Sequence, residues 1–377
     1  MNPLDAPPSH LDVPKGEQED FYSDDDLFKI QSWGADLSFR ELISRYDEDE
    51  LVKPELQRHY VWDKSEASRF IDSILLGLPV PSIFLAKTNN EKLLIIDGYQ
   101  RLMTVRDYVK GIFSKNKKVF KLSRTEKIHK RWRGKPFAEL KEEEQRRIRN
   151  TTIHAIIFMQ RSPAKGDTSL FQVFERINSS GRTLLAQEIR NCVYQGPLNT
   201  LLLELNNYPI WRKMFGKNIR DDRMRDVEYI LRFFALSSDE MLYSNVFPSR
   251  ISLKKYLNQF MDDFNEDEFI DDFRDNFLKS IGIAYECLGN SAFHNLSTSN
   301  PDQLIERFSP TLFDSVLIAF FLAIRNKAPI TNNVECQKRK LTLLKNPEFQ
   351  NLLAKETMRT SNIRRRIAMA YDAFFGE

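Results

Sequence analysis

Leu93-Leu94-Ile95-Ile96-Asp97-Gly98-Tyr99-Gln100-Arg101-Leu102 is the stretch that decides how this chain is read. Four consecutive apolar residues suit a buried strand. Gly98 marks a turn, and Leu102, Val105 and Val109 then recur at helical spacing up to Gly111. A strand that runs through a glycine into a helix points unpaired N–H groups, and the positive end of the helix dipole, at one spot. An anion, most often a phosphate, is the natural guest there. Arg101 offers a planar fork suited to phosphate, Asp97 can orient a water or a metal-bound phosphate, and Gly98 lets backbone approach closely. The same residues also spell a plain capping box, Asp97 with Gln100 three positions on. Both readings stand on the residues alone. No GxxxxGK[ST] occurs, so this is not a P-loop.

Working outward, Asp63 and Glu66 predict a capped helix start. Ala67, Phe70, Ile71, Ile74 and Leu75 fall on one face, and Gly77 stands at the expected end. Ile83–Ala86 and Leu93–Ile96, separated by a polar turn, predict a hairpin or two neighbouring strands. Ile153–Met159 predicts another buried strand. A helix over Ser169–Ile177, an Asn178–Gly181 turn and a second helix from about Thr183 are expected next. From about residue 195 the pattern is helical throughout, with Ser309-Pro310 opening one helix. The chain thus divides into three parts: an acidic, Pro-rich arm over 1–27, disordered or loosely docked; a domain over 28–195; and a helical domain over 196–377.

The 377 residues carry a net charge of only +3, so any affinity for nucleic acid must come from local patches. One such patch spans 115–149, with 14 Lys/Arg against 5 Glu. Lys117, Lys118, Lys130, Arg131 and Arg133 are its candidate DNA contacts, and Trp132 is a candidate for stacking on a base. A solvated face is the plainer reading, since Glu142–Glu144 interrupt the run. A second charge contrast is the acidic stretch Asp262–Asp275 against a basic tail at Arg359 and Arg364–Arg366. Cys192, Cys287 and Cys336 lie far apart without a CxxC pair, which argues for a reducing compartment and against a cysteine zinc site. No metal site is expected among the five histidines. The longest apolar run, Val316–Ile324, is too short to span a bilayer, and the N-terminus is not a signal peptide, so a cytoplasmic protein is expected.

Two satellite segments accompany the central one. Gln57-Arg58-His59-Tyr60-Val61-Trp62 lies upstream, and Phe174-Glu175-Arg176-Ile177-Asn178-Ser179-Ser180-Gly181 lies downstream. Taken singly, each has an ordinary reading, a surface arginine beside packing aromatics and a helix-ending turn. His59 lies within the first motif; His154 reads as an ordinary histidine beside a sheet. Together, and in this order, the three segments resemble the N-terminal domain family of GmrSD-type modification-dependent restriction enzymes. The family hallmark Asp-Gly-Gln-Gln-Arg stands here as Asp97-Gly98-Tyr99-Gln100-Arg101. Glu188-Ile189-Arg190-Asn191 is similar to the family's next helix, and Gly134–Leu140 has its connecting look. The likeness is strong over about 37–195.

That resemblance implies an α+β architecture: a ParB/sulfiredoxin-like N-terminal domain with a small mixed sheet, followed by a mainly α-helical C-terminal region. It also implies binding of a nucleoside triphosphate, with hydrolysis controlling attack on foreign DNA in a prokaryotic anti-phage or restriction system. Carried over by position, Asp97 and Arg101 act at the phosphates as the catalytic pair, with Mg²⁺ as the accompanying ion. Gln57, Arg58, Gly98, Gln100, Arg101 and Asn178 form the nucleotide site. Two departures stand out. Tyr99 replaces the first Gln of the hallmark, and Leu185 stands where the family often has Ser or Thr, weakening a helix cap. Longer relatives add a nuclease half of His-Asn-His type, and nothing in this sequence resembles it, so nuclease activity of this chain alone is not expected. The two function classes left standing are an NTP-binding, NTP-hydrolysing component and a non-catalytic DNA- or protein-binding regulator. The partners expected are nucleotide, DNA, a separate nuclease subunit or a second copy of the chain.

Overall fold

Strands form where β-branched residues and leucines run together, and glycines mark the turns and helix ends between them. In a computed structural model of the chain, the described residues are 11–12, 29–53, 62–88, 91–162, 173, 185–194, 196–264, 267–297, 300 and 303–376. They divide into two compact units. One comprises 26–184 with 191–193; the other comprises 185–190 and 194–377 together with 1–25.

Among the described residues of the first unit, the elements are β1 (Lys29–Ser38), α1 (Phe39–Asp47), β2 (Leu51–Val52), α2 (Lys64–Leu76), β3 (Ile83–Lys87), β4 (Leu93–Asp97), α3 (Tyr99–Lys110), β5 (Ile112–Phe113), β6 (Lys118–Val119), α4 (Glu142–Asn150) and β7 (Thr152–Ser162). Five strands make a mixed sheet in the order β1-β7-β3-β4-β2. β3 and β4 are the expected antiparallel hairpin partners, with Leu85 opposite Ile95. β7 runs parallel to β3, Leu85 opposite Ile157. The β1 strand has no counterpart in the sequence reading. Only Trp33, Ala35 and Leu37 alternate as apolar residues, and the strand lies on the sheet's edge with Ile30 and Trp33 exposed, so its apolar signal is short and weak. It pairs with β7 along its whole length, from Lys29–Ser162 to Ser38–Thr152.

α2 forms as its residues predict. Asp63 Oδ1 accepts from the Glu66 amide at 2.8 Å while Glu66 Oε2 accepts from the Asp63 amide at 2.8 Å, and Gly77 ends the helix at φ 79°. Its apolar face, Ala67, Ile71, Ile74 and Leu75, is buried with Leu85, Ile95, Leu102 and Val105 in one core. Burial of such side chains contributes about 1.5–3 kcal/mol each, so this face, not helix propensity, holds α2 in place.

The second unit is helical, with a short antiparallel pair His294–Leu296 and Leu304–Phe308. Ser309-Pro310 does open a helix, Pro310–Arg325, whose Leu312, Val316, Ala319, Phe320 and Ala323 are all buried. The same helix buries Asp314, which takes Arg232 Nη2 at 2.5 Å and Arg366 Nη2 at 3.5 Å. Two helices distant in sequence are thereby tied to one carboxylate, since an unpaired buried charge would be costly. Of the N-terminal arm, Leu11 is buried and the Asp12 amide donates to the Phe308 carbonyl at 2.8 Å. Cys287 and Cys336, 49 positions apart, meet at one point: both thiols donate to the Thr331 carbonyl, at 3.8 and 3.6 Å. Among the described residues no helix is long and apolar enough to cross a membrane.

Candidate functional site

The strand–turn–helix lies at the junction of β4 and α3. Ile95 and Ile96 are buried, so β4 enters the turn from the core. Gly98 turns the chain at φ 106°, a conformation that costs a side-chain-bearing residue about 1–2 kcal/mol. A Cβ at this position would also stand 2.2 Å from Ile83 Cγ2. The glycine is therefore required by packing against β3; its close approach is to a core side chain, not toward a ligand.

Of the two readings of Asp97-Gly98-Tyr99-Gln100, the capping box does not form. Gly98 is the N-cap of α3 and has no side chain with which to cap it. The Asp97 carboxylate turns instead to Arg101 Nη2, and Gln100 Oε1 accepts from the Trp62 amide at 3.3 Å. The first turn of α3 is the positive end of the helix dipole, the end that attracts anions.

Arg101 is less free than its expected role suggests. Besides Asp97, its Nη1 donates to the carbonyls of Pro81 at 2.7 Å and Ser82 at 2.6 Å. Its side chain is 14% exposed and that of Asp97 39%. The guanidinium ties the end of the loop after α2 to the start of α3, and so positions the turn. Tyr99 is buried, and burial first, then the neighbouring Tyr46 hydroxyl, pushes its phenol well above its ordinary value. The replaced Gln of the hallmark has thus become a core residue, with Lys53 Nζ 5.7 Å above its ring. Gln57, Arg58, His59 and Asn178 lie outside the described residues, as does the Phe174–Gly181 turn. Trp62, at the edge of the first motif, packs edge-on against Phe70 at 5.6 Å.

The basic segment separates into two kinds of residue. Lys117, Lys118 and Lys130 are exposed. Arg131 pairs with Glu144 at 2.6 Å, and Arg133 spends its Nε and Nη2 on the Ile128 carbonyl. Trp132 cannot stack on a base: it is 5% exposed, and its indole Nε1 donates to Asp72 Oδ1 at 2.5 Å. Asp72 was silent in the sequence; it sits on the inner face of α2 and also accepts from the His129 amide at 3.0 Å. His154 lies beside the sheet, its Nδ1 2.8 Å from Asp36 Oδ1 and its ring over Gly34.

Family comparison agrees with this geometry. Residues 39–195 match the family described as GmrSD restriction endonuclease, N-terminal domain. This segment is a GmrSD N-terminal domain. The match begins at Phe39, the first residue of α1, and takes in β4, the Gly98 turn and α3. A comparison with curated proteins finds no match to the chain. The family's description sets the matched segment in the context of restriction. The Glu188-Ile189-Arg190-Asn191 segment, within the match, has a structural use in this chain. Leu185, lacking a capping hydroxyl, begins the helix Ala186–Val193, and Glu188 Oε2 accepts from its amide at 2.7 Å. Arg190 is fully buried and donates to Glu228 at 2.9 Å and Asn258 at 2.8 Å.

Proposed function

We propose that this GmrSD-domain protein binds a nucleoside triphosphate, with its phosphates at the start of α3, and hydrolyses it as the controlling step of a restriction system. The observation that carries the reading is the geometry of the turn: a buried strand passes through Gly98 into the start of α3, with the Asp97–Arg101 pair beside it. Backbone amides of that first turn would meet the phosphates. Asp97 and Arg101 stand beside them already paired. Each is the kind of group that an incoming Mg²⁺ or phosphate would draw away from the other, so ligand entry exchanges one charge pairing for two. The family's Gln57, Arg58 and Asn178 complete the proposed site by position. Bound Mg²⁺ would neutralise phosphate charge; the residues of the chain orient and hold the anion.

The test is thermal shift and phosphate release with each of four NTPs and Mg²⁺, on wild type and Arg101→Ala. A ligand at 100 times its Kd adds about 2.7 kcal/mol of stability. The wild type is expected to shift and the variant to lose the shift. Absence of any shift or phosphate release in the wild type, with all four nucleotides, would remove the reading. A second reading, a non-catalytic regulator that holds DNA for a separate nuclease, is favoured by the exposed Lys117, Lys118 and Lys130.

A further inference from the structure

The acidic stretch 262–275 plays no part in the nucleotide reading, yet it borders a cavity in the helical unit. Eight carboxylates and one arginine occupy those fourteen positions. The cavity has a volume of about 260 Å³, and seven phenylalanines line it among the described residues. Phe260 and Phe264 stack at 4.6 Å, and Phe273 packs on Phe234 at 4.8 Å. No leucine, isoleucine or valine joins this wall among the described residues; the polar lining is Ser237, Ser238, Asp239, Asp272, Asn276 and Arg325.

Two fields act on anything that enters. The faces of the phenyl rings are electron-rich and attract cations. The surrounding carboxylates do the same over about a Debye length, and repel a polyanion such as DNA. One rim of the cavity shows what these groups accept. The Arg325 guanidinium lies over the Phe321 ring at 5.6 Å and over Tyr243 at 5.4 Å, while its Nη1 meets Asp239 Oδ1 at 2.6 Å. Asp272 and Phe273 both line the cavity, and Asp272 is exposed with no cation paired to it among the described residues. Arg274, the one cation of the stretch, is turned to Glu204 and Asp271.

We infer that this cavity is a binding site for an organic cation on an apolar stem, a guanidinium or substituted ammonium, held between the phenylalanine wall and Asp272. Its volume suits one side-chain-sized group, below the roughly 300–1,000 Å³ of pockets that take drug-sized ligands. The same chemistry is carried by a free small molecule or by an arginine or lysine of a basic polypeptide.

Calorimetric or NMR titration of the full chain with butylguanidinium, against its neutral isostere butylurea, tests the site. Butylguanidinium is expected to bind and butylurea to bind at least fivefold more weakly, with the difference shrinking as salt is raised. Asp272→Asn, at an exposed position that leaves the fold intact, is expected to weaken butylguanidinium roughly fivefold, the size of a partly exposed charge pairing. Phe264→Leu, which keeps apolar volume but removes a ring, is expected to weaken it as well. An arginine-containing peptide and its citrulline counterpart form the second arm. An arginine peptide binding more tightly than butylguanidinium identifies a polypeptide as the source; equal or weaker binding identifies a free cation. Equal affinity for butylguanidinium and butylurea, no binding of either at tens of millimolar, or an unchanged affinity in Asp272→Asn would overturn the assignment.

Discussion

Replacing Gly98 with alanine probes the turn on which the nucleotide reading rests. Two costs add in the folded state. The backbone at φ 106° lies in the left-handed region, which costs a residue with a Cβ about 1–2 kcal/mol. The new methyl would also stand 2.2 Å from Ile83 Cγ2 and 2.9 Å from Ile83 Cβ. Ile83 is 3% exposed and packed in the core, so it cannot swing into solvent. Overpacking of this kind costs about 1–3 kcal/mol. Gly98→Ala is therefore expected to destabilise the first unit by about 2–5 kcal/mol, a large share of an ordinary domain's stability. Hydrogen exchange of the β4 and α3 amides, including the Leu102 amide that donates to the Gly98 carbonyl at 3.0 Å, reads the loss locally, and urea unfolding reads it globally. The contact explanation adds a second requirement. Ile83→Ala removes Cγ2, so Gly98→Ala should cost less in that background than in the wild type, by about 1 kcal/mol or more of coupling, the range of residues in contact. A Gly98→Ala variant within about 0.5 kcal/mol of wild type, the scatter of neutral surface changes, would refute the argument. Strict additivity with Ile83→Ala would refute the contact part of it.

Two further outcomes are expected. Burial pushes the Lys340 ammonium down from 10.5 to about 7, with its Nζ donating to the Ser291 carbonyl; between those values the unfolded chain holds one more proton than the folded one, so stability rises with pH across that window, and below it the full cost, on the order of 5 kcal/mol, is present. Lys340→Met should flatten that rise in a urea-unfolding series from about pH 6.5 to 9.5, and a slope unchanged from wild type would show that other groups cause it. Substituting Lys117, Lys118 and Lys130 together with alanine should weaken DNA binding uniformly across sequences and reduce the salt slope by about 3, near 0.9 per phosphate contact; an unaltered slope in a salt titration would place DNA elsewhere.

The features legible in the sequence were those that depend on neighbours within a few residues. Asp63 with Glu66, the glycines at 77 and 111, and the apolar runs of β3, β4 and β7 act locally, through capping and burial, and they appear where they were expected. The three ordered motifs also identified the family. The edge strand β1 left only the short alternation of Trp33, Ala35 and Leu37, because an edge strand leans on a partner's backbone and makes little demand on its side chains. The site was legible as a segment but not as a geometry. The residues of the turn allow both a capping box and a bare helix start, and the choice depends on where the Asp97 and Gln100 side chains find better partners.

Asp97 turns to Arg101, only four residues on, but the other partners are set by contacts far along the chain. The Trp62 amide draws Gln100 away from the cap, Asp72 takes the indole of Trp132 out of reach of any base, and Asp314 gathers Arg232 and Arg366. The sequence alone determined the elements, the family and the order of the motifs, because hydrophobic period, caps and turns are local. Only the tertiary structure decided which charged and polar groups remain open to a ligand. Buried hydrogen-bonding groups must be satisfied by whatever the fold brings beside them, and that is not written in the spacing of residues.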